Sequence, residues 1–378
     1  MSFAVWAEGR DTDDPQLSDP TVSTNAIREA LVRSDAPLTI PGGDRLRVTH
    51  LPLGTPPEAR ERGLFAHQPL CGGLRADPTD PDPRLHYKGL HNYCTTQYGT
   101  FRDGSGCFYN AQRMVETEMA SGLIIAVEGQ PEFQPDGQRG HVGMVWNRLE
   151  DGAWVTEHMA GAMTGHGPDK GGHASEPLRI VQRGDAAEWH EGDVMSVRGS
   201  LVGSAFQWFV PAADGGLFFC CHPYRVSGVC LGKQVEGFFF NDNMYLPPGV
   251  TYGTSDFFSH AHILLVIWGN EYEDGTIEVG QMGLGRDRFA FALAANQEGG
   301  FLETTDVTGV MERKDDGFPS HIGFCIDGED WVWTPAPHAD MLAFGEEYRG
   351  AEGRVCRAGE TRESRVWMGY VESFRSRG

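Results

Sequence analysis

The run His141-Val-Gly-Met-Val-Trp-Asn147, followed by Asp151-Gly152 and then Ala153-Trp-Val-Thr-Glu-His-Met159, decides the fold class. Apolar and polar residues alternate with a period of two, so Val142, Met144 and Trp146 share one face, as they would on a strand. Asp-Gly between two such runs marks a tight hairpin, because both central residues of a type I′ turn need positive φ. The stretch therefore predicts a β-hairpin.

The same grammar recurs outward from it. Residues His260 to Tyr272 turn at Asp274-Gly275 into Thr276 to Gly283, and Arg365 to Phe374 reads as a closing strand. Further Asp-Gly steps stand at 103, 136, 214, 316 and 327. After residue 35 no helical period of twelve or more residues appears, apart from an ambiguous stretch at Ala111 to Ile125. The expectation is all-β, antiparallel, built as sandwiches or barrels. Upstream, residues 1 to 85 read as an irregular leader rich in Pro, Gly, Asp and Arg. Within it lie a short helical segment near Ala26 to Val32, where Ile27 and Leu31 share a face, one strand around Arg45 to Leu51, and a loop from Pro78 to Pro83.

Composition narrows the function. The 378 residues carry 53 acidic and 31 basic side chains, a formal charge of −22. Nucleic acids and anionic membrane surfaces demand Lys and Arg, so neither is an expected partner. The lysines are Lys88, Lys170, Lys233 and Lys314, few candidates for a Schiff base or a phosphate clamp. The N-terminal residues lack a basic-then-apolar signal, and the longest apolar run, Ile263 to Trp268, is strand-sized, so a soluble, cytoplasmic protein without membrane insertion is expected. The eight cysteines show no C-x-x-C spacing and read as buried reduced thiols. Phosphate-loop, nucleophile-elbow, zincin and dinucleotide fingerprints are all missing.

Histidines and carboxylates remain. His260 and His262, on a strand, would point to the same side, as metal ligands must; a third ligand from His222 or His158 has no spacing to demand it, so the pair is read as structural or pocket histidines and no metal is assigned. A second His-rich patch spans His86 to Cys94. A third runs from His158 to His166, with His173 beyond, and its Met159 and Met163 would suit a loop lining an apolar pocket. Asp242 lies in Phe238-Phe-Phe-Asn-Asp-Asn-Met-Tyr-Leu-Pro-Pro248. Burial among these aromatics would raise its pKa and keep it protonated, as a general acid requires. Periodicity alone makes a turn-capping Asp the simpler reading. Glu236 and Asp256 are neighbours that would share an acid role, and Arg75, Arg84 and Lys88 would matter only toward a carboxylate-bearing substrate.

Gly216-Leu-Phe-Phe-Cys-Cys-His-Pro-Tyr-Arg-Val-Ser-Gly-Val-Cys-Leu-Gly-Lys-Gln-Val-Glu-Gly-Phe-Phe-Phe-Asn-Asp242 resembles the central stretch of the carotenoid 1,2-hydratase-like, lipocalin-like two-domain proteins. There a strand ending V-x-G leads through a hairpin to G-x-x-x-x-D. His262 to Trp268 with Glu273-Asp-Gly-Thr276, and the closing Trp367-Met-Gly-Tyr-Val-Glu372, are similar to that family too. The resemblance covers about a third of the chain. Asn243, Met244 and Tyr245 stand where the family has His, an acidic residue or Ser, and Trp, so Asp242 alone carries over. The resemblance implies two antiparallel β domains, a sandwich or barrel over 86–245 and a lipocalin-like barrel over 246–378, with an apolar cavity between or within them. It also implies enzymes that need no nucleotide cofactor, relatives of the kind that include cyclases and Diels–Alderases.

The resulting expectation is a cofactor-independent lyase, hydratase or cyclase acting by acid–base catalysis on a hydrophobic terpenoid, polyketide or aromatic. Asp242 would donate the proton, with His260, His262 or Tyr245 as partner, and Trp146, Trp154, His158, Phe240 and Trp268 would bind substrate. Two alternatives stay open: a non-catalytic carrier of apolar ligands, and a β-sandwich polysaccharide lyase or glycosidase, which would show an open groove and a carboxylate pair. Beyond the small molecule, a homodimer stays open.

Overall fold

The computed structural model describes residues 67, 69–83, 86–87, 90–117, 119–133, 141–165, 178–212, 214–286, 289–344 and 347–374. The helix and strand expected near residues 26 and 45, the Asp136-Gly137 turn, and Arg84, Lys88, His166 and His173 lie outside them. In chain order the strands are β1 (Leu70–Leu74), β2 (His86–Tyr87), β3 (Leu90–Asp103), β4 (Phe108–Glu116), β5 (Met119–Ala120), β6 (Ile124–Val127), β7 (Gln130–Phe133), β8 (His141–Glu150), β9 (Ala153–Gly165), β10 (Leu178–Arg183), β11 (Ala186–Glu191) and β12 (Met195–Leu201). They continue as β13 (Ala205–Val210), β14 (Leu217–Cys230), β15 (Lys233–Leu246), β16 (His262–Tyr272), β17 (Ile277–Gly285), β18 (Ala290–Asn296), β19 (Phe301–Thr304), β20 (Val307–Arg313), β21 (Pro319–Ile326), β22 (Glu329–Phe344), β23 (Tyr348–Arg357) and β24 (Ser364–Phe374).

The fold is all-β, as expected. In the first sheet, ten strands follow one another from β3 through β15, β14, β12, β11, β10, β9, β8 and β5 to β4, and the pairing of β4 with β3 closes them into an antiparallel barrel. β14 is long enough to change partner: Met195–Leu201 covers its second half, and β13 with β1 covers its first. Leu70–Leu74, expected to be irregular, is thus an ordered strand. The second sheet runs from β19 to β20 in nine strands. Its two ends curl toward each other, and a Cβ on Gly309 of β20 would lie 2.8 Å from Leu284 of β17.

Both expected hairpins form, β8 with β9 and β16 with β17. Asp151-Gly152 and Asp327-Gly328 have positive φ at both residues, as a type I′ turn requires. At Asp274-Gly275 and Asp316-Gly317 only the glycine does, so these are other turn geometries. The ambiguous stretch Ala111 to Ile125 is strand in β4, β5 and β6 rather than helix. His260 is not on a strand: Phe257–Ala261 forms a π-helical turn, and β16 starts only at His262. The shared face expected for His260 and His262 is therefore lost.

The period of two places three cores. On β15, Val235 and Phe239 face the interior of the first barrel, whereas Phe238, Phe240, Met244 and Leu246 face outward to the second sheet. On β16, Leu264, Val266 and Trp268 face the second sheet's own core, whereas Leu265 and Ile267 face back toward β15. Val366, Met368 and Tyr370 of β24 join that middle layer. Fully burying an aromatic of this kind contributes about 1.5–3 kcal/mol. The middle layer is also pinned by polar contacts: buried Glu352 on β23 accepts from Thr100 Oγ1 of β3 at 2.7 Å and from the Gly369 amide at 2.9 Å. The Arg102 guanidinium lies 3.5 Å from the same carboxylate and stacks over the Trp367 ring. Inside the first barrel, buried His222 meets Asp80 at 2.7 Å, and Gln182, Asn241 and Gln97 continue the network.

At Gly269 on β16 the absent side chain makes room for Phe238 of the first barrel; a Cβ there would sit 2.5 Å from the Phe238 ring. Gly269→Ala must displace that ring and is expected to lower stability by about 1–3 kcal/mol, read from urea unfolding of the full chain.

Candidate active site

Asp242 sits mid-way along β15, opposite Cys221 of β14 and Thr96 of β3. It is in phase with Phe240 and Met244, so it points into the layer between the two sheets, and it is 5% exposed. The Tyr98 hydroxyl donates to its Oδ2 at 2.6 Å. Its Oδ1 is buried and has no hydrogen-bond partner. Loss of hydration raises its pKa to about 7; the neighbouring Cys221 thiol and the Tyr98 hydrogen bond oppose the shift and the charge of Glu372 adds to it. Tyr98 in turn is held by a parallel stack on Phe240, centroids 5.8 Å apart.

Asp242 lines a cavity of about 100 Å³ between the sheets. The first sheet supplies Thr96, Tyr98, Gln112, Trp208, Phe219 and Met244. The linker after β15 supplies Tyr252, Phe257 and Phe258, and the second sheet His262, Leu265, Ile267, Tyr348, Tyr370 and Glu372. Glu372 of β24 retains 18% of its side-chain surface. It accepts from the Tyr252 hydroxyl at 2.9 Å, and burial raises its pKa to about 7. His262 Nδ1 lies 4.0 Å from Glu372 Oε1, with its ring stacked on Phe257. The Tyr348 and Tyr370 hydroxyls bond each other, and burial pushes both above the usual phenol range. Two carboxyls thus share one largely aromatic chamber, one from each sheet.

Of the residues read from the sequence, Asp242 and His262 meet in this cavity, and the others do not line it. Tyr245 turns its hydroxyl to the Asp80 carbonyl at 2.7 Å, because it stands an odd number of residues from Asp242 and so faces the other side of β15. His260 approaches His67, ring centroids 5.9 Å apart. Phe240 stands behind Tyr98 and acts on the cavity only through it. Trp268 belongs to the second sheet's own core beside Trp331, Trp154 is buried on β9, and Trp146 is 56% exposed on the outer face of β8. His158 Nδ1 accepts the Leu178 amide where β9 leads to β10. Glu236 is ion-paired to Arg225 and Arg365, and those arginines overcome its partial burial to hold its pKa low, the opposite of an acid donor. Asp256 lies 3.5 Å from His67. Among the described residues no cluster of three or more His, Cys, Asp or Glu is arranged to hold a metal.

Glu372, Tyr98 and Tyr252 line the cavity without having been expected there from the sequence. A signal for Glu372 existed: it follows Met368 and Tyr370 at intervals of two, an acid in phase with a strand's apolar face. A second, larger depression of about 1050 Å³ opens at the surface beside Arg102, Asp103, Glu236 and Trp367. Its carboxylates do not suit glycoside cleavage, since Ser105 lowers the pKa of Asp103 and Glu236 is paired as above.

No protein-family model matches the chain, and no curated protein sequence matches it either. Among solved structures it is similar to kievitone hydratase from Nectria haematococca, at 9% identity and a TM-score of 0.41 over 82% of this chain and 98% of that one. It is also similar to CghA in complex with Sch210972, at 10% identity and a TM-score of 0.41 over 76% of this chain and 89% of the other. A protein of Nitrosomonas europaea assigned as AttH gives 14% identity and a TM-score of 0.37 over 75% and 92%. No helix among the described residues is long and apolar enough to cross a membrane.

Asp242, Glu372 and Glu352 all have pKa values raised to about 7 by burial. The folded chain therefore holds more protons than the unfolded one between the ordinary carboxyl range and pH 7. Stability from these groups is complete below that range and is lost as pH rises through 7. Urea midpoints are expected to fall from pH 5.5 to pH 8, and Asp242→Asn is expected to flatten that decline.

Proposed function

We propose that this protein is a cofactor-independent enzyme, a lyase or hydratase or a cyclase, that moves a proton on an apolar small molecule held between its two β sheets. The observation that supports it most is Asp242: a buried acid that titrates near neutrality and lines an apolar cavity with one oxygen left unbonded by the protein. A general acid works best with a pKa near the operating pH. Protonated, Asp242 gives its proton to the guest; Tyr98 stabilises the carboxylate that remains. Glu372 and His262 face the same space from the other sheet and are placed to take a proton back, so they replace His260 and Tyr245 as partners. The aromatic walls exclude water and so keep a reactive guest from competing hydrolysis.

The cavity limits what enters. An engineered void of about 150 Å³ admits benzene, so about 100 Å³ takes only the reacting end of a terpenoid, polyketide or aromatic compound. Incubation with a panel of such compounds and mass spectrometry for gain or loss of water, or for isomers of unchanged mass, tests the reading. Asp242→Asn is expected to lower turnover at least about 10²-fold with the near-ultraviolet circular dichroism unchanged. A folded Asp242→Asn protein with full turnover removes the assignment.

A further inference from the structure

We infer that the cavity between the sheets is a receptor for a small protonated amine, held by Asp242 and Glu372 and surrounded by aromatic rings. The inference shares its cavity with the acid–base reading but does not require turnover.

The lining is one-sided in charge. Nine aromatic side chains, Trp208, Phe219 and Tyr252 among them, meet two carboxyls and the imidazole of His262, and no Lys or Arg is among the lining residues. An anion would face two carboxyls and find no permanent counter-charge. A neutral guest would leave the ionised form of either acid without a counter-charge in this largely desolvated space. A protonated amine uses every part. Ring faces attract a cation, and desolvated walls strengthen that attraction. Carboxylates pair with it through short, charge-assisted N–H···O bonds. Asp242 Oδ1, buried with no protein donor, is the acceptor waiting for such a hydrogen. Glu372 has one donor, Tyr252, on Oε1, and its partial exposure places it toward the side from which a guest arrives.

Size and field agree. About 100 Å³ is less than the room benzene occupies in an engineered cavity, enough for an ammonium group with about two or three carbons. The chain's net charge of −22 attracts cations from a distance and raises their encounter rate at low salt.

Proton traffic gives the inference a signature. Both acids hold part of their protons near pH 7, where Tyr98, Cys221, Tyr348 and Tyr370 around them stay neutral because burial raises their pKa. A cation entering between them favours the ionised forms and, by like-charge repulsion, opposes a proton on His262 4.0 Å from Glu372, so uptake expels protons to solvent. An uncharged guest of the same shape expels none.

The test uses the full chain with methylammonium to hexylammonium chlorides, and the corresponding primary alcohols as neutral matches at equal ionic strength. Melting temperature and proton release, followed by pH-stat in unbuffered solution at pH 6.5, are the readouts. The amines of about two or three carbons are expected to raise the melting temperature saturably and to release protons, while the alcohols do neither. Asp242→Asn and Glu372→Gln are each expected to weaken amine binding at least about tenfold. If a variant does not fold, the amine–alcohol difference in the wild-type chain still decides. Equal stabilisation by the alcohols, binding without proton release, or no response to any amine overturns the inference. Amine binding by a chain that converts no compound removes only the catalytic reading; turnover of an apolar compound without amine binding removes only the receptor.

Discussion

β15 is buried on both faces, and the structure depends on that constraint. A strand whose side chains alternate between two filled spaces has no solvent side to absorb an error of register. Val235, Phe239 and the buried amides of Asn241 and Asn243 go one way, into the first barrel; Phe238, Phe240, Asp242 and Met244 go the other. The polar side chains on the inner face find partners there, Asn243 with Thr95 and Asn241 with Gln97 and Gln182. Those bonds hold the strand in place, and Asp242 is thereby fixed toward the second sheet with no freedom to turn away.

Keeping that acid where it is works against stability. Burial of Asp242, Glu372 and Glu352 opposes their ionisation, and only partial compensation comes from Tyr98, Tyr252, Thr100 and the neighbouring Arg102. Glu352 shows the structural version of such a group, with backbone, hydroxyl and guanidinium partners around it. Asp242 and Glu372 have fewer partners and face a void. Perturbed carboxyls that face empty space rather than one another's counter-ions are the pattern of functional sites.

The strands, the hairpins and the placement of Asp242 among aromatics were legible because each depends on residues close in sequence. Period two and Asp-Gly steps are local signals, and Phe238 to Asp242 announces its own desolvation. The rest of the site was not legible, since it depends on which strands become neighbours. Glu372 shares a cavity with Asp242 only because β24 lies beside β16 on the face turned to β15. The same ignorance of pairing put Trp146 in a wall that it does not join, since alternation gives two faces without saying which is covered. His260 failed for a local reason: a π-helical turn precedes β16 and breaks the phase between 260 and 262. Tyr245 failed by parity alone, since a residue three positions from Asp242 on an unbroken strand faces the other way.

The two carboxyls are contributed by opposite halves of the polypeptide, joined through the segment between Leu246 and His262. Neither half owns the chamber; it exists at the seam. A gene split there would give two fragments, each with a naked aromatic wall and a solitary acid, and whatever the chamber does would return only when the fragments found each other. Selection on this site therefore acts on the fit of two surfaces as much as on any one side chain.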